Sequence, residues 1–221
     1  MKKLFLITVI VLVCSSCTVY RTIHFNADHS GKAETKIDMS AMMSMMSDYG
    51  DMGATMGKMP DLSELDKSKS LLDGIDGISN VQILYDTLGI MSSSYDFNSV
   101  DALVNAMWAR GNSTTMLMGM GENEGGHAKP KITYKGKKFY MEEIDKKTLQ
   151  NLQSEDKKKQ MAEMDMLMAS SEVNTTIEFP VAIKKVSYKN ASITNNNTLN
   201  YVTPIKDFIS TDYKPLVVNL K

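Results

Sequence analysis

The chain has 221 residues, 25 of them basic and 26 acidic, for a net charge of −1. A balance so close to neutral leaves no broad basic field, which argues against a nucleic-acid partner. Two cysteines in the whole chain exclude a disulfide framework of the kind that holds small secreted scaffolds.

The first elements are a leader and a cleavage signal. Met1-Lys2-Lys3 is a basic head, and Leu4 to Val13 (LFLITVIVLV) is an apolar run without a polar face. As a helix such a run rises about 15 Å, half of a hydrocarbon core of about 30 Å, so it suits a signal peptide and not a membrane span. Cys14-Ser15-Ser16-Cys17 follows, with small residues before Cys17. The segment resembles a lipobox, although Cys14 stands where Leu is usual, and the Ser-Ser-Cys form is similar to that of Bacteroidota lipoproteins. The resemblance implies cleavage after residue 16 and a diacylglyceryl group on Cys17. The competing reading is an ordinary secretory signal cut nearby. Under the lipobox reading the mature chain, 17–221, has no free thiol and carries 23 basic against 26 acidic residues. No acidic residue follows the anchor before Asp28, which in similar lipoproteins favours an outer-membrane anchor facing the periplasm.

Val19 to Asn26 alternates at period two, with Tyr20, Thr22 and His24 on one face and Arg21, Ile23 and Phe25 on the other. Asn26 to Gly31 is turn chemistry, with Gly31 suited to a left-handed position, and Lys32 to Asp38 returns as a second strand. Met39, Met42, Met43 and Met46 then fall on one helical face. A Gly-rich stretch near 48–60 separates them from a second helix starting at Asp61 and running to about Asp73. Asn80–Thr87 and Ile90–Phe97 read as a hairpin around Leu88-Gly89. Ser99 caps a helix whose stripe is Val100, Leu103, Val104, Met107 and Trp108, ending at Gly111. Residues 112–130 read as a long Met- and Gly-rich loop. A third hairpin joins Lys131–Tyr134 to Lys137–Met141, and a charged helix spans about Asp145 to Ala169. The tail reads as strands at Val173–Phe179, Ile183–Tyr188, Thr198–Val202 and Lys214–Leu220. The layout predicts one α+β domain: antiparallel β-hairpins and C-terminal strands, with amphipathic helices packed on one face.

Thr175-Thr-Ile-Glu-Phe-Pro180, then Ile183-Lys-Lys-Val-Ser187, Ala191-Ser-Ile193 and Thr198-Leu-Asn-Tyr201, resembles the end of LppM-type lipoprotein domains. The opening strand-turn-strand with Ser30-Gly31 in its turn is also similar to uncharacterised Bacteroidota lipoproteins. The resemblance implies a small α+β module that handles lipids or envelope components. It covers the hairpin and about the last 50 residues, and no functional residue carries over.

Nineteen methionines are the compositional anomaly, eight of them between Met39 and Met59. Thioethers suit Cu(I) or Ag(I), and Met42, Met43, Met45 and Met46 would put sulfurs one helical turn apart. The same spacing also buries one helix face, and flexible Met-rich helices can line an adaptable apolar surface. Core packing is the favoured reading of these methionines, an adaptable apolar surface the second and a metal site the third, and a Met-rich periplasmic Cu(I)/Ag(I)-binding protein is the alternative function. His24, His29 and His127 lack ligand spacing. Lys157-Lys-Lys159, flanked by acidic residues, reads as a solvated helix face. No nucleophile elbow and no phosphate loop is present. The sequence therefore predicts no catalytic residue and no cofactor. The expected function is that of a non-enzymatic binding or structural module of the cell envelope, held to the membrane through Cys17 and contacting lipid or an envelope protein.

Overall fold

The computed structural model describes residues 18–40, 62–86, 89–117, 129–143, 171–204, 207 and 214–221, with the backbone alone at 62–65 and 110–117. Among these residues two sheets dominate, accompanied by two helices, a layout compatible with the α+β class. Strands β1 (Thr18–Phe25), β2 (Gly31–Asp38), β3 (Ile78–Tyr85), β4 (Ile90–Phe97), β7 (Glu172–Glu178), β9 (Ser192–Thr194) and β10 (Thr198–Pro204) form the larger sheet, in the order β3-β4-β2-β1-β7-β10-β9. Strands β5 (Lys131–Lys135), β6 (Lys138–Glu142), β8 (Ile183–Val186) and β11 (Leu216–Leu220) form the smaller, in the order β5-β6-β11-β8.

The three hairpins form where the period-two runs and turn residues place them. Two details of the first turn differ from expectation. His29, not Gly31, takes the left-handed backbone conformation, at φ 68°. Its amide donates to the Asn26 carbonyl at 3.0 Å, and the Asp28 carboxylate accepts from the Ser30 amide at 3.0 Å, so side-chain and backbone bonds fix the turn. Gly31 is needed for close approach instead: a Cβ there would lie 1.8 Å from the His24 carbonyl oxygen and 2.6 Å from the Phe97 ring.

The antiparallel expectation also needs correction, because β1 pairs with β7 in parallel, Thr18 opposite Glu172 through His24 opposite Glu178. Every other strand pair among the described residues is antiparallel. The sheet is mixed because β7 enters from the far side of the chain and adds to the free edge of the β1–β2 hairpin.

Helix α1 (Leu62–Asp73) packs against β3 and against α2 (Val100–Leu117), which itself meets β3, β4 and β5. Ser99 caps α2 as expected, its hydroxyl accepting from the Ala102 amide at 3.2 Å. Gly111 does not end it: the helix continues to Leu117, since an internal glycine costs only about 1 kcal/mol. The buried stripe centres on Leu103, with Ala102, Val104 and Ala106 beside it. Trp108, expected in that stripe, is 42% exposed. It lies five residues past Leu103, about 140° around the helix, so the face that the two alanines bring close turns it outward.

The core lies between the sheets. Phe25 of β1 packs edge-on against Phe97, Tyr134 and Phe139 at centroid separations of 5.4–5.6 Å and stacks on Phe179 at 6.0 Å. These rings join both sheets at one point. The buried Met141, and Met107 half-buried against the same core, serve as packing residues.

Candidate functional site

Strand register sorts the inner face of the larger sheet into rows. Tyr95, Ala33, Ile23, Ile177 and Leu199 form one apolar row across five adjacent strands. Four residues along, Met91, Ile37, Val19, Val173 and Thr203 form another, all apolar except its last member. Between them lies a polar belt: Ser93, Thr35, Arg21, Thr175 and Tyr201. The alternation of β1 forces this arrangement, since Arg21 shares parity with Ile23 and Phe25 and so points inward with them.

Arg21 is held by Glu143, which follows β6 in the other sheet. Nη1 donates to Oε2 at 2.6 Å, with the side chains 19% and 12% exposed. Burial pulls the guanidinium pKa down, but the charge and hydrogen bond of Glu143 outweigh burial and leave it above its ordinary value. The pair is therefore an ionic bridge between the two sheets.

Three other members of the belt are poorly satisfied. The Ser93 hydroxyl is buried with no protein hydrogen-bond partner, and the buried Thr175 and Tyr201 hydroxyls have only each other. Thr175 and Tyr201 stand opposite each other in register, and their hydroxyls meet only at the limit of hydrogen-bonding geometry. Burial, reinforced by the nearby Glu143 carboxylate, raises the Tyr201 pKa well above its ordinary value, so its hydroxyl stays protonated. A buried hydroxyl without a well-formed partner costs about 1–3 kcal/mol, a deficit that native interiors rarely keep without a reason. Chemically the belt offers hydrogen-bond donors and acceptors beside an already neutralised guanidinium, with apolar rows on either side.

The residues singled out in the sequence fall elsewhere. Cys17 lies outside the described residues, immediately before the first residue of β1, the strand at the centre of the larger sheet. Met42, Met43, Met45 and Met46 lie outside the described residues, as does His127. His24 sits on the outer face of β1, its Nδ1 2.9 Å from Glu178 Oε2. His29 stacks on Tyr134, with ring centroids 4.1 Å apart. Among the described residues no three His, Cys, Asp or Glu side chains come together as metal ligands, and no helix is long and apolar enough to cross a membrane. The belt itself escaped sequence reasoning, although the parity of Arg21 with Ile23 and Phe25 was a visible signal.

The chain matches no protein-family model. No curated protein sequence matches it. Among solved structures it has a weak resemblance to the folded domain of LppM from Mycobacterium tuberculosis, determined by NMR, with a TM-score of 0.40 and 13% identity over 93% of this chain and 89% of that one.

Proposed function

We propose that the protein is a lipid-anchored bacterial envelope lipoprotein, and that its domain is a non-enzymatic binding or structural module facing the periplasm from the outer membrane. In this reading residues 1–16 are removed, Cys17 carries the lipid, and residues 17–221 form one domain in which α1 and α2 cover one face of the larger sheet. The basic and apolar leader before Ser15-Ser16-Cys17 supports the anchor.

The observation that carries the binding reading is the polar belt between apolar rows. A hydrogen-bonding head flanked by hydrocarbon matches that pattern, so an acyl lipid is the ligand class. Glu143 already neutralises Arg21, which makes a second carboxylate costly to bury and favours a neutral head such as a glycerol ester. The test is the unfolding midpoint with 1-monooleoylglycerol and, separately, with oleate. A ligand that binds the folded state raises the midpoint by mass action. A rise with the monoacylglycerol, smaller with oleate and lost in Thr175→Val, supports the reading. No rise with either ligand overturns it and leaves the belt as an internal network. The anchor is tested separately by Cys17→Ala, which should abolish fatty-acid labelling and release the protein from membranes.

A further inference from the structure

The outer face of the larger sheet is not uniformly polar. Register places Leu84, Ser92, Lys36, Tyr20, Asn174 and Val202 on one row across six strands. Three of these side chains are large, apolar and exposed: Leu84 at 65%, Tyr20 at 46% and Val202 at 46%. The two rows beyond it on the same face, through Thr22 and through His24, carry only polar and charged side chains. The large exposed apolar side chains of this face thus fall on a single line, which lies two residues, or about 7 Å, from Thr18.

Thr18 is the residue next to Cys17 and already belongs to β1. No tether separates the acylated residue from the sheet, since consecutive Cα atoms are about 3.8 Å apart. We infer that the Thr18 end of the larger sheet rests in the headgroup layer of the bilayer that holds the anchor, with the Leu84–Tyr20–Val202 row as its lipid-contacting band. The inference rests on acylation of Cys17 and is independent of the polar belt.

The chemistry of the row suits that depth. Tyrosine and lysine are interfacial residues, one with an apolar ring and a polar tip, the other with an apolar stem and a charge that reaches phosphate. Lys36 Nζ lies 5.9 Å from the centre of the Tyr20 ring, so the two already share one patch. The acidic groups at the same edge are internally occupied. Asp38 accepts from the amide and hydroxyl of Ser40, and Glu172 accepts from Asn174 at 2.9 Å. The opposite end, with the Asn26–Ser30 and Asn195–Asn197 turns, stands about 24 Å away along β1 and carries none of this apolar line.

Because Cys14 leaves with the leader and the Cys17 thiol is acylated, an introduced cysteine is the only free thiol of the mature protein. Val202→Cys and Thr194→Cys place an environment-sensitive fluorophore on the same face, about 14 Å apart along the strands. The acylated protein is reconstituted into vesicles of phosphatidylethanolamine and phosphatidylglycerol containing a lipid with a nitroxide near its headgroup. Quenching at Val202 is expected to exceed quenching at Thr194 about threefold or more, given that difference in depth. Adding Tyr20→Ser and Leu84→Ser to Val202→Cys should reduce the quenching while the protein stays membrane-bound. Equal quenching at the two sites overturns the inference. So does self-quenching that rises with protein density without lipid quenching, which would assign the row to a second copy of the chain. Mass analysis of the same sample reports the acyl group. If that group is present and quenching is equal, the orientation alone is wrong; if it is absent, the anchor and the orientation fall together.

Discussion

Arg21 of one sheet donates to Glu143 of the other across 2.6 Å, and the two are joined where neither has much water. Removing one partner of such a pair leaves an uncompensated charge, which costs about 3–5 kcal/mol when fully buried; residual exposure here points to the lower end. Arg21→Met or Glu143→Leu should therefore each lower the urea midpoint by the equivalent of about 3 kcal/mol. The double variant should recover most of that loss. A double variant as unstable as the sum of the singles would show that the pair does not act as a unit.

Two glycines should behave in opposite ways. Gly31→Ala drives a methyl group into the His24 carbonyl and the Phe97 ring, and backbone cannot yield as a flexible side chain does. A loss beyond the about 1–3 kcal/mol usual for overpacking is expected, read as a fall in the unfolding midpoint. Gly136 has φ 56° but open space around its would-be Cβ, so Gly136→Ala should cost only the left-handed backbone term of about 1–2 kcal/mol.

Leu103 is fully buried at the centre of the α2 stripe. Leu103→Ala should cost about 2–5 kcal/mol, whereas Trp108→Ala, at the exposed flank, should cost clearly less. Chemical denaturation of both variants tests the ordering, and equal losses would contradict the helix orientation.

The tyrosines set an alkaline limit. Burial, then the hydrogen bond to Glu142, pushes Tyr140 up to about 12; burial, then the charge of Glu143, does the same for Tyr188. For each, the folded value lies above the ordinary 10.0, so the folded state holds its proton longer than the unfolded chain. Their stabilising contribution is complete below pH 10 and is lost as pH climbs toward 12. Tyrosinate absorbance should show a late-titrating class whose ionisation coincides with unfolding. Uniform titration near 10, with the fold intact, would contradict these environments.

How much of this was legible in the sequence follows from the range of each interaction. The hairpins β1–β2, β3–β4 and β5–β6 are local, and alternation plus Asn26-to-Ser30, Gly89 or Gly136 specified them. The Ser99 cap was legible for the same reason. The β1–β7 pairing joins Thr18 to Glu172, and nothing in either strand's alternation encodes so distant a partner. The assignment of Ile183–Val186 and Leu216–Leu220 to a separate sheet was hidden likewise, because both strands read alike whichever sheet receives them. The polar belt emerges only once register aligns Ser93, Thr35, Arg21, Thr175 and Tyr201, five residues that no sequence window contains together. The Leu84–Tyr20–Val202 line was illegible on the same grounds.

The parallel pairing of β1 with β7 also sets an order of events during synthesis. β1 is made early and can close with β2 as soon as Asp38 follows, yet its other backbone edge has no partner until Glu172 to Glu178 have been made. For most of the chain's elongation the strand destined for the middle of the sheet is an open edge, able to pair with any extended neighbour. A chain stopped short of Glu172 would keep that edge permanently bare, and nascent copies lying close together would be drawn to one another along it.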